Sequence, residues 1–396
     1  MTRVGLVVNP VAGLGGRVGL GGTDGPDRAR TALSLGARPL AGARAAAALG
    51  ELAARAGESA RDGLLVVTAA GRLGADSAAA AGLAERIVYA AGAGRDTSAA
   101  DTAAAVRAVV DEGVDLLLFA GGDGTARDVL GALGSCNSSN SPGSLSSPGD
   151  VPCPVLGVPT GVKMHSAVFA VSPRAAGEVA AAWLARAGGV RLRDAEVMDR
   201  DEDALGEGRV TSRLFGWLPV PDVPVRVQQR KTGSTTASPG AVGGIAAEVA
   251  ERVGEGLLVL GPGSTTRAVA AALGADVSLT GVDALALRPG HPPRIVVHEA
   301  GEDTLLALGP AWIALSPIGG QGFLLGRGNQ QISPRVLRAA GGRERLLVLC
   351  TEAKLAALGG RPLLLDTGDD ALDAELSGHL PVITGRRRTS LYRLAM

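Results

Sequence analysis

Lysine is almost missing from this chain: Lys163, Lys231 and Lys354 are the only three among 39 basic residues, the rest being arginine. Aromatics are nearly as sparse, with four Phe, three Trp and two Tyr. So few rings give no base-stacking surface, and with 39 acidic residues balancing the 39 basic ones there is no long-range field to gather nucleic acid or an anionic membrane. The same balance excludes the strongly acidic surface of a protein adapted to molar salt. Cysteine is limited to Cys136, Cys153 and Cys350, which form neither a CxxC unit nor a disulfide framework and read as reduced thiols. The four histidines, His165, His291, His298 and His379, lack HExxH or comparable spacing, and no GxSxG elbow occurs. A zinc hydrolase and a covalent serine hydrolase are therefore disfavoured. No 18-residue apolar stretch escapes charge or Gly/Pro breaks, and the opening MTRVGLVVNPVAG is too short for a signal peptide core. A soluble, cytoplasmic protein without membrane or nucleic-acid partners is expected.

Glycine is abundant, at 59 of 396 residues, and a chain of this length suggests two domains. Short β-branched runs at 3–9, 63–69, 86–90, 114–119 and 154–158 alternate with Ala-rich helical stretches at 39–57, 72–84, 98–112 and 125–133. Strands apolar on both faces and separated by helix-length segments predict an open parallel α/β domain, placed at residues 1–188. Residues 134–152, rich in Ser, Gly, Asn and Pro, read as a flexible surface insertion, and 232–240 as either a lid or a linker. A second, mixed and β-rich domain is expected over 189–385. It begins with strands at 190–198 and 209–218 and a helix near 242–253, and continues with three strand, Gly-turn and helix units at 257–274, 312–328 and 346–360. Residues 386–396 are expected as a C-terminal segment packing back on the first domain.

Ligands of open α/β sheets bind where strand C-termini meet helix N-termini. Three Gly-rich or polar stretches fall at such ends: NPVAGLGG (9–16), AGGDGTARD (120–128) and GVPTGVKMHS (157–166). In GGDGT, Gly121, Gly122 and Gly124 allow a ligand to approach the backbone closely, and Thr125 starts a helix whose free N–H groups favour an anion. A carboxylate in such a turn, Asp123, needs a partner other than phosphate: a Mg²⁺ ion, a sugar hydroxyl, or a hydroxyl to be deprotonated. GPGSTTRAV repeats the arrangement with Gly263, Ser264, Thr265 and Thr266, which suit phosphate oxygens and equally suit helix capping. Neither stretch is a P-loop or a dinucleotide fingerprint. In GGQGFLLGRGNQQ, Asn329 offers an amide for base edges or ribose hydroxyls and Arg327 a charge for phosphate. Asn9, Gly13, Thr160, Gly161 and Lys163 complete the set of candidate nucleotide- and phosphate-binding residues.

With NPVAGLGG upstream and GVPTGVKMHSAVFA downstream, GGDGT resembles the NAD kinase superfamily. VGLGGTDG, LGPGSTTRAVAAALG, TGVDAL, SPIGGQGFLLGRGNQQISP, GRPLLLDTGD and LPVITG resemble its ATP-NAD kinase or acetoin-catabolism-associated branch, so the likeness covers nearly the whole chain. GGDGT itself is shared with lipid kinases. The resemblance implies two domains with an active site in the cleft between them, ATP as donor with Mg²⁺ held mainly by substrate phosphates, NAD as acceptor, and a homo-oligomer. It implies that Asp123 is the base for the adenosine ribose 2′-hydroxyl. The family's Asn-Glu pair and NNPYxxN-like stretch, which bind the nicotinamide nucleotide, do not occur here; Asn329 with Gln330 and the segment 160–163 are the nearest polar candidates. Another hydroxylated metabolite as acceptor, polyphosphate as donor, and a nucleotide sensor without turnover remain the alternatives.

Overall fold

The computed structural model describes residues 1–20, 26–57, 61–92, 97–136, 152–162, 164–186, 189–200, 212–223, 226–227 and 239–396. Lys163, most of the 134–152 insertion and nearly all of 232–240 lie outside these residues. The chain forms two compact units: Met1–Gly13 with Arg38–Arg230, and Leu14–Ala37 with Lys231–Met396.

The first unit is built on five strands, β1 (Thr2–Val8), β2 (Leu64–Ala69), β3 (Ala84–Tyr89), β4 (Leu116–Gly121) and β5 (Val155–Pro159). All neighbours are parallel, in the order β3-β2-β1-β4-β5. Every residue of β4 and β5 is buried, as continuous apolar runs require when both faces are covered. Numbered along the chain, α1 (Pro26–Ser34) belongs to the second unit. The first contributes α2 (Ala41–Ala56), α3 (Ala75–Ala80), α4 (Ala99–Asp111), α5 (Asp123–Cys136) and α6 (Pro173–Leu184). In α2 the buried residues Ala41, Ala45, Ala48, Leu49 and Leu52 recur at three- and four-residue spacing, making one apolar stripe that packs on α6. Ser98 and Asp101 close a reciprocal cap at the start of α4, where the sequence places a helix. The strand order reverses between β1 and β4, so the C-terminal ends of these two strands define the switch point at which such sheets bind ligands.

A ribbon of two antiparallel strands, β6 (Arg191–Arg200) and β7 (Ser212–Asp222), belongs to this unit, packing on α5 and β5. The division at 230 therefore differs from the expected one at 188. Apolar alternation identifies the ribbon as β-structure but carries no mark of which sheet it joins. Ala195, Val197, Leu218 and Val220 are among its buried residues, and these bind it to the first unit.

The second unit carries α7 (Pro239–Val253), β8 (Gly256–Leu260), α8 (Ser264–Leu273), β9 (Asp283–Leu287), β10 (Arg294–Val297), α9 (Glu302–Leu308), β11 (Trp312–Leu315) and β12 (Phe323–Leu325). It continues with α10 (Pro334–Ala340), β13 (Leu346–Leu349), α11 (Glu352–Ala356), β14 (Leu363–Leu365), α12 (Asp370–Leu376), β15 (Gly378–Gly385) and β16 (Arg388–Ala395). Nine strands form one mixed sheet, β10-β9-β8-β11-β13-β15-β16-β14-β12, with β8, β11, β13 and β15 parallel. Alternate residues of its central strands enter two apolar clusters. Val259, Ile313, Leu315 and Val348 face one side, and Leu258, Leu260, Ala314, Leu347 and Leu349 the other.

Two expectations are corrected here. No helix follows β11: Gly320 and Gly322 adopt φ of 77° and 82°, and Ile318 exchanges backbone hydrogen bonds with Gly322 and Phe323, which turns the chain into β12. Residues 386–396 belong to the second unit. Arg388–Ala395 forms β16, antiparallel to β15 and parallel to β14, with Leu394 buried in the second core.

Candidate active site

The first unit gathers its sequence-identified residues around the switch point. Asn9 directly follows β1, and its backbone N–H donates to Ala120 O in β4 at 2.9 Å. Its side-chain Nδ2 donates to Thr125 Oγ1 at 3.0 Å, while Oδ1 accepts the Val11 amide at 3.2 Å. One amide thus braces its own turn and ties the loop after β1 to the first turn of α5.

Gly13 sits at φ 78°, and a Cβ there would fall far inside contact distance of the Thr160 carbonyl oxygen. Gly122 and Gly161 approach so closely that a Cβ on Gly161 would lie 2.9 Å from Gly122 Cα. The amides of Thr160 and Gly161 both donate to Gly121 O, at 3.0 and 3.2 Å. The glycines of the three loops therefore serve to bring backbones together. The Thr160 hydroxyl is buried in this region with no hydrogen-bond partner among the described residues, at odds with the rule that buried polar groups are paired.

Asp123 is the first residue of α5 and only 8 % exposed. Its Oδ2 accepts the His165 amide at 2.7 Å and its Oδ1 the Ser166 amide at 3.0 Å. Ser166 Oγ in turn donates to Met198 O at 2.8 Å and accepts the Met198 amide at 2.9 Å, fixing this stretch to β6. Burial pushes the Asp123 carboxyl up to about 6; hydrogen bonds from the Ser166 side chain and the His165 and Ser166 amides pull it down, and the Asp199 charge adds to the rise. Asp199 itself pairs with Arg127 at 3.1 Å. Asp128, one turn along α5 from Gly124, is also pushed up to about 6, again chiefly by burial.

A carboxylate offers about four lone-pair sites, and each Asp123 oxygen receives one backbone N–H. The group is therefore held in a single orientation. The α5 N-terminus beside it leaves amide groups without intrahelical acceptors, the arrangement that suits an anion.

The second unit holds the remaining candidates. Gly263, at φ 137°, caps α8; its amide donates to Leu279 O at 2.9 Å and its carbonyl accepts from Thr266 Oγ1 at 2.9 Å. Ser264 is exposed at the first helical position, and Thr265 Oγ1 accepts from Lys354 Nζ at 3.3 Å. Arg327 and Asn329 are engaged within their own loops. Arg327 lies 3.3 Å from Asp366, both side chains being 4 % exposed, and over the Phe323 ring at 4.6 Å. Asn329 accepts the Gly326 amide at 3.0 Å and donates to Leu324 O at 2.9 Å.

Sequence reasoning missed the groups that hold Asp123. His165 and Ser166 act through backbone N–H groups, which no residue type announces, although HS ends the GVPTGVKMHS stretch. Asp199 lies in a β-strand with no motif around it. Lys354 was readable as one of three lysines, but it sits inside an ordinary helical run. Among the described residues no group of three or more His, Cys, Asp or Glu side chains is placed to hold a metal ion, and no helix is long and apolar enough to cross a membrane. Cys153 and Cys350 are buried, and burial pushes the Cys350 thiol up to about 12.

Comparison with known proteins bears on this geometry directly. Residues 4–138 match the family model of the ATP-NAD kinase N-terminal domain, and residues 253–394 that of the ATP-NAD kinase C-terminal domain. No curated protein and no solved structure matches the chain. The first span contains β1, β4 and the GGDGT turn, whereas the amides that hold Asp123 fall between the two spans. With a GGDGT turn at the switch point of its parallel sheet and family matches in both halves, the chain belongs to the ATP-NAD kinase family and is a kinase.

Proposed function

We propose that this protein transfers the terminal phosphoryl group of ATP to the adenosine ribose 2′-hydroxyl of NAD, giving NADP. The observation that carries the reading is the Asp123 carboxylate: buried, fixed by two backbone N–H groups, and raised to about 6 at the first turn of α5. A general base works best when its pKa lies just below the working pH, so that it is ionised yet basic enough to take a proton. In this role Asp123 accepts the 2′-hydroxyl proton as the oxygen attacks phosphorus and the bond to the leaving diphosphate breaks in line. The work of the site is positioning and charge stabilisation. Backbone amides at the α5 N-terminus, brought near by Gly121, Gly122 and Gly124, hold phosphate oxygens, while Asn9, Gly13, Thr160 and Gly161 shape the loops around them. The buried Thr160 hydroxyl, unpaired among the described residues, suits a hydroxyl or phosphate oxygen of the substrate.

No cluster among the described residues makes a dedicated magnesium cage. In this reading the metal arrives with the phosphates of the nucleotide, and no step is assigned to it.

A second acceptor class has one observation in its favour. The chain has no Asn-Glu pair and no NNPYxxN-like stretch, so the nicotinamide end has no familiar holder, and a small hydroxylated metabolite would meet the same Asp123. An acceptor panel separates the two: NAD and a set of polyols are each offered with ATP and Mg²⁺, and labelled product is followed. Label entering NAD alone supports the NAD kinase reading. Label entering only another acceptor overturns NAD while keeping the kinase.

A further inference from the structure

TGVDAL, a stretch with no part in the kinase reading, carries Asp283 into the first position of β9. Its carboxylate is 1 % exposed and takes three donors: the Ser278 amide on Oδ2 at 2.9 Å, and on Oδ1 the Glu299 amide at 3.0 Å and the His298 ring Nδ1 at 3.1 Å. A buried carboxylate is satisfied in this way, and it ties the turn before β9 to the residues that follow β10. The same contact assigns the neutral imidazole its tautomer. Nδ1 carries the proton, since an ionised carboxylate only accepts, and Nε2 keeps its lone pair. The His298 side chain is 56 % exposed and lines a pocket, and its Nε2 makes no hydrogen bond among the described residues.

Glu299 sits at φ 48°, in the left-handed region that suits glycine and strains a longer side chain. Two contacts hold it there: its amide donates to Asp283, and its Oε1 accepts from Ser278 Oγ at 3.1 Å. Ser278 Oγ is itself fixed by accepting the Gly281 and Thr280 amides at 2.6 and 3.2 Å. Gly281 makes the approach possible, because a Cβ there would lie 2.7 Å from Glu299 Cγ. Glycine or asparagine would form the same turn with less strain. Glutamate instead puts one carboxylate in a fixed place, with Oε2 uncommitted.

The pocket shared by these side chains measures about 410 Å³, within the range of small-molecule sites. Val277, which is buried, and Leu279, 48 % exposed, give it an apolar wall. Of its charged lining, Arg267 and Asp276 lie 3.6 Å apart and offset each other, whereas Glu299 has no cation within ion-pair distance among the described residues. The uncommitted groups are thus acceptors, Glu299 Oε2 and His298 Nε2, beside an apolar surface. A divalent metal ion would want three or more protein ligands, and no such group occurs among the described residues.

We propose that this pocket binds a small organic cation, a primary ammonium with a short apolar tail. Its N–H groups donate to Glu299 Oε2 and His298 Nε2, and its tail lies on Leu279 and Val277. None of these residues enters the kinase reading, and the site holds whether or not that reading does.

The test is two-bond ¹H–¹⁵N spectroscopy of the imidazole rings in the full-length protein, where His298→Gln identifies the His298 signals among the four histidines. His298 is expected with Nδ1 protonated and Nε2 bare. Titration with n-butylammonium chloride at constant ionic strength should shift its signals saturably, while sodium butyrate leaves them unmoved. Glu299→Gln keeps the shape and the acceptor for Ser278, and should weaken the ammonium by about tenfold or more, as loss of a charge-assisted contact does. Leu279→Ala trims an exposed side chain and should weaken n-butylammonium by several-fold while leaving methylammonium nearly unaffected. The absence of a saturable shift up to about 100 mM, an affinity that even a poorly efficient ligand of five heavy atoms reaches, overturns the site. Butyrate binding in place of the ammonium overturns it as well, and so does Glu299→Gln binding n-butylammonium as tightly as wild type. If Glu299→Gln does not fold, Leu279→Ala decides by the same criterion. The readout is a ring shift and not turnover, so failure of the kinase reading leaves the result intact.

Discussion

The acid limb of the rate profile should fall where no ordinary aspartate would put it. Burial raises Asp123 from its usual 3.8 to about 6, and the proton-accepting form is the ionised one, so rate is lost as pH falls through 6. At pH 7 such a group is about 91 % ionised and at pH 5 about 9 %, whereas a carboxyl of pKa 3.8 stays about 94 % ionised at pH 5. Between pH 7 and pH 5, kcat/KM for the acceptor should therefore drop about tenfold if Asp123 is the base, and by less than a tenth if the base is an unperturbed carboxylate. Steady-state rates at saturating ATP and Mg²⁺, with acceptor varied, measure it. Phosphates of the donor also titrate near neutrality, so the residual rate of Asp123→Asn provides the control. It must lack the limb, because no carboxyl is left to protonate. A limb that persists unchanged in Asp123→Asn, or a wild-type profile flat down to pH 5, would refute the assignment of Asp123 as base.

Two stability predictions follow from the same geometry. Gly13→Ala forces a side chain into φ 78° and against the Thr160 carbonyl, and should destabilise the protein by more than about 1 kcal/mol in urea unfolding; a neutral result would mean the loop relaxes freely. Arg327→Met removes the guanidinium that pairs with the buried Asp366 side chain, and should cost more than about 1 kcal/mol by the same assay; a neutral result would show that the pair is not what holds this loop.

The parts of the fold that announce themselves in sequence are those where one residue type does one job. The LLLF of VDLLLF reads as a doubly buried strand because nothing in it tolerates water, and GGDGT reads as a ligand turn because glycine at a strand end has few other reasons to be paired with an acid. The ribbon of β6 and β7 shows why the rest was hidden: its alternation is plain, but the sheet it joins depends on which surface its Val197 and Val220 cover. β16 is similar. Its outward residues, such as Leu391 and Arg393, carry little periodicity, and its place between β15 and β14 follows from the tight turn at Arg387, whose φ is 54°. β9 and β10 escaped because five- and four-residue strands leave too little pattern to read.

The candidate site divides along the same line. Asp123 was legible from chemistry, since a carboxylate among phosphate-friendly glycines needs a purpose. The groups that orient it were not, because the His165 and Ser166 backbones do that work and any residue but proline supplies an amide. Arg327 and Asn329 read as ligand contacts because a guanidinium suits phosphate and an amide suits base edges or ribose hydroxyls. The structure shows what else such residues are needed for: bracing a loop that has little other side-chain material to pack.

One measurement bears most directly on the central claim: transfer of label from γ-labelled ATP to NAD in the presence of Mg²⁺, wild type against Asp123→Asn. The account predicts labelled NADP with wild type and a rate about 10²-fold or more lower with the variant, at little change in nucleotide affinity. Near-equal rates from the two proteins would contradict it.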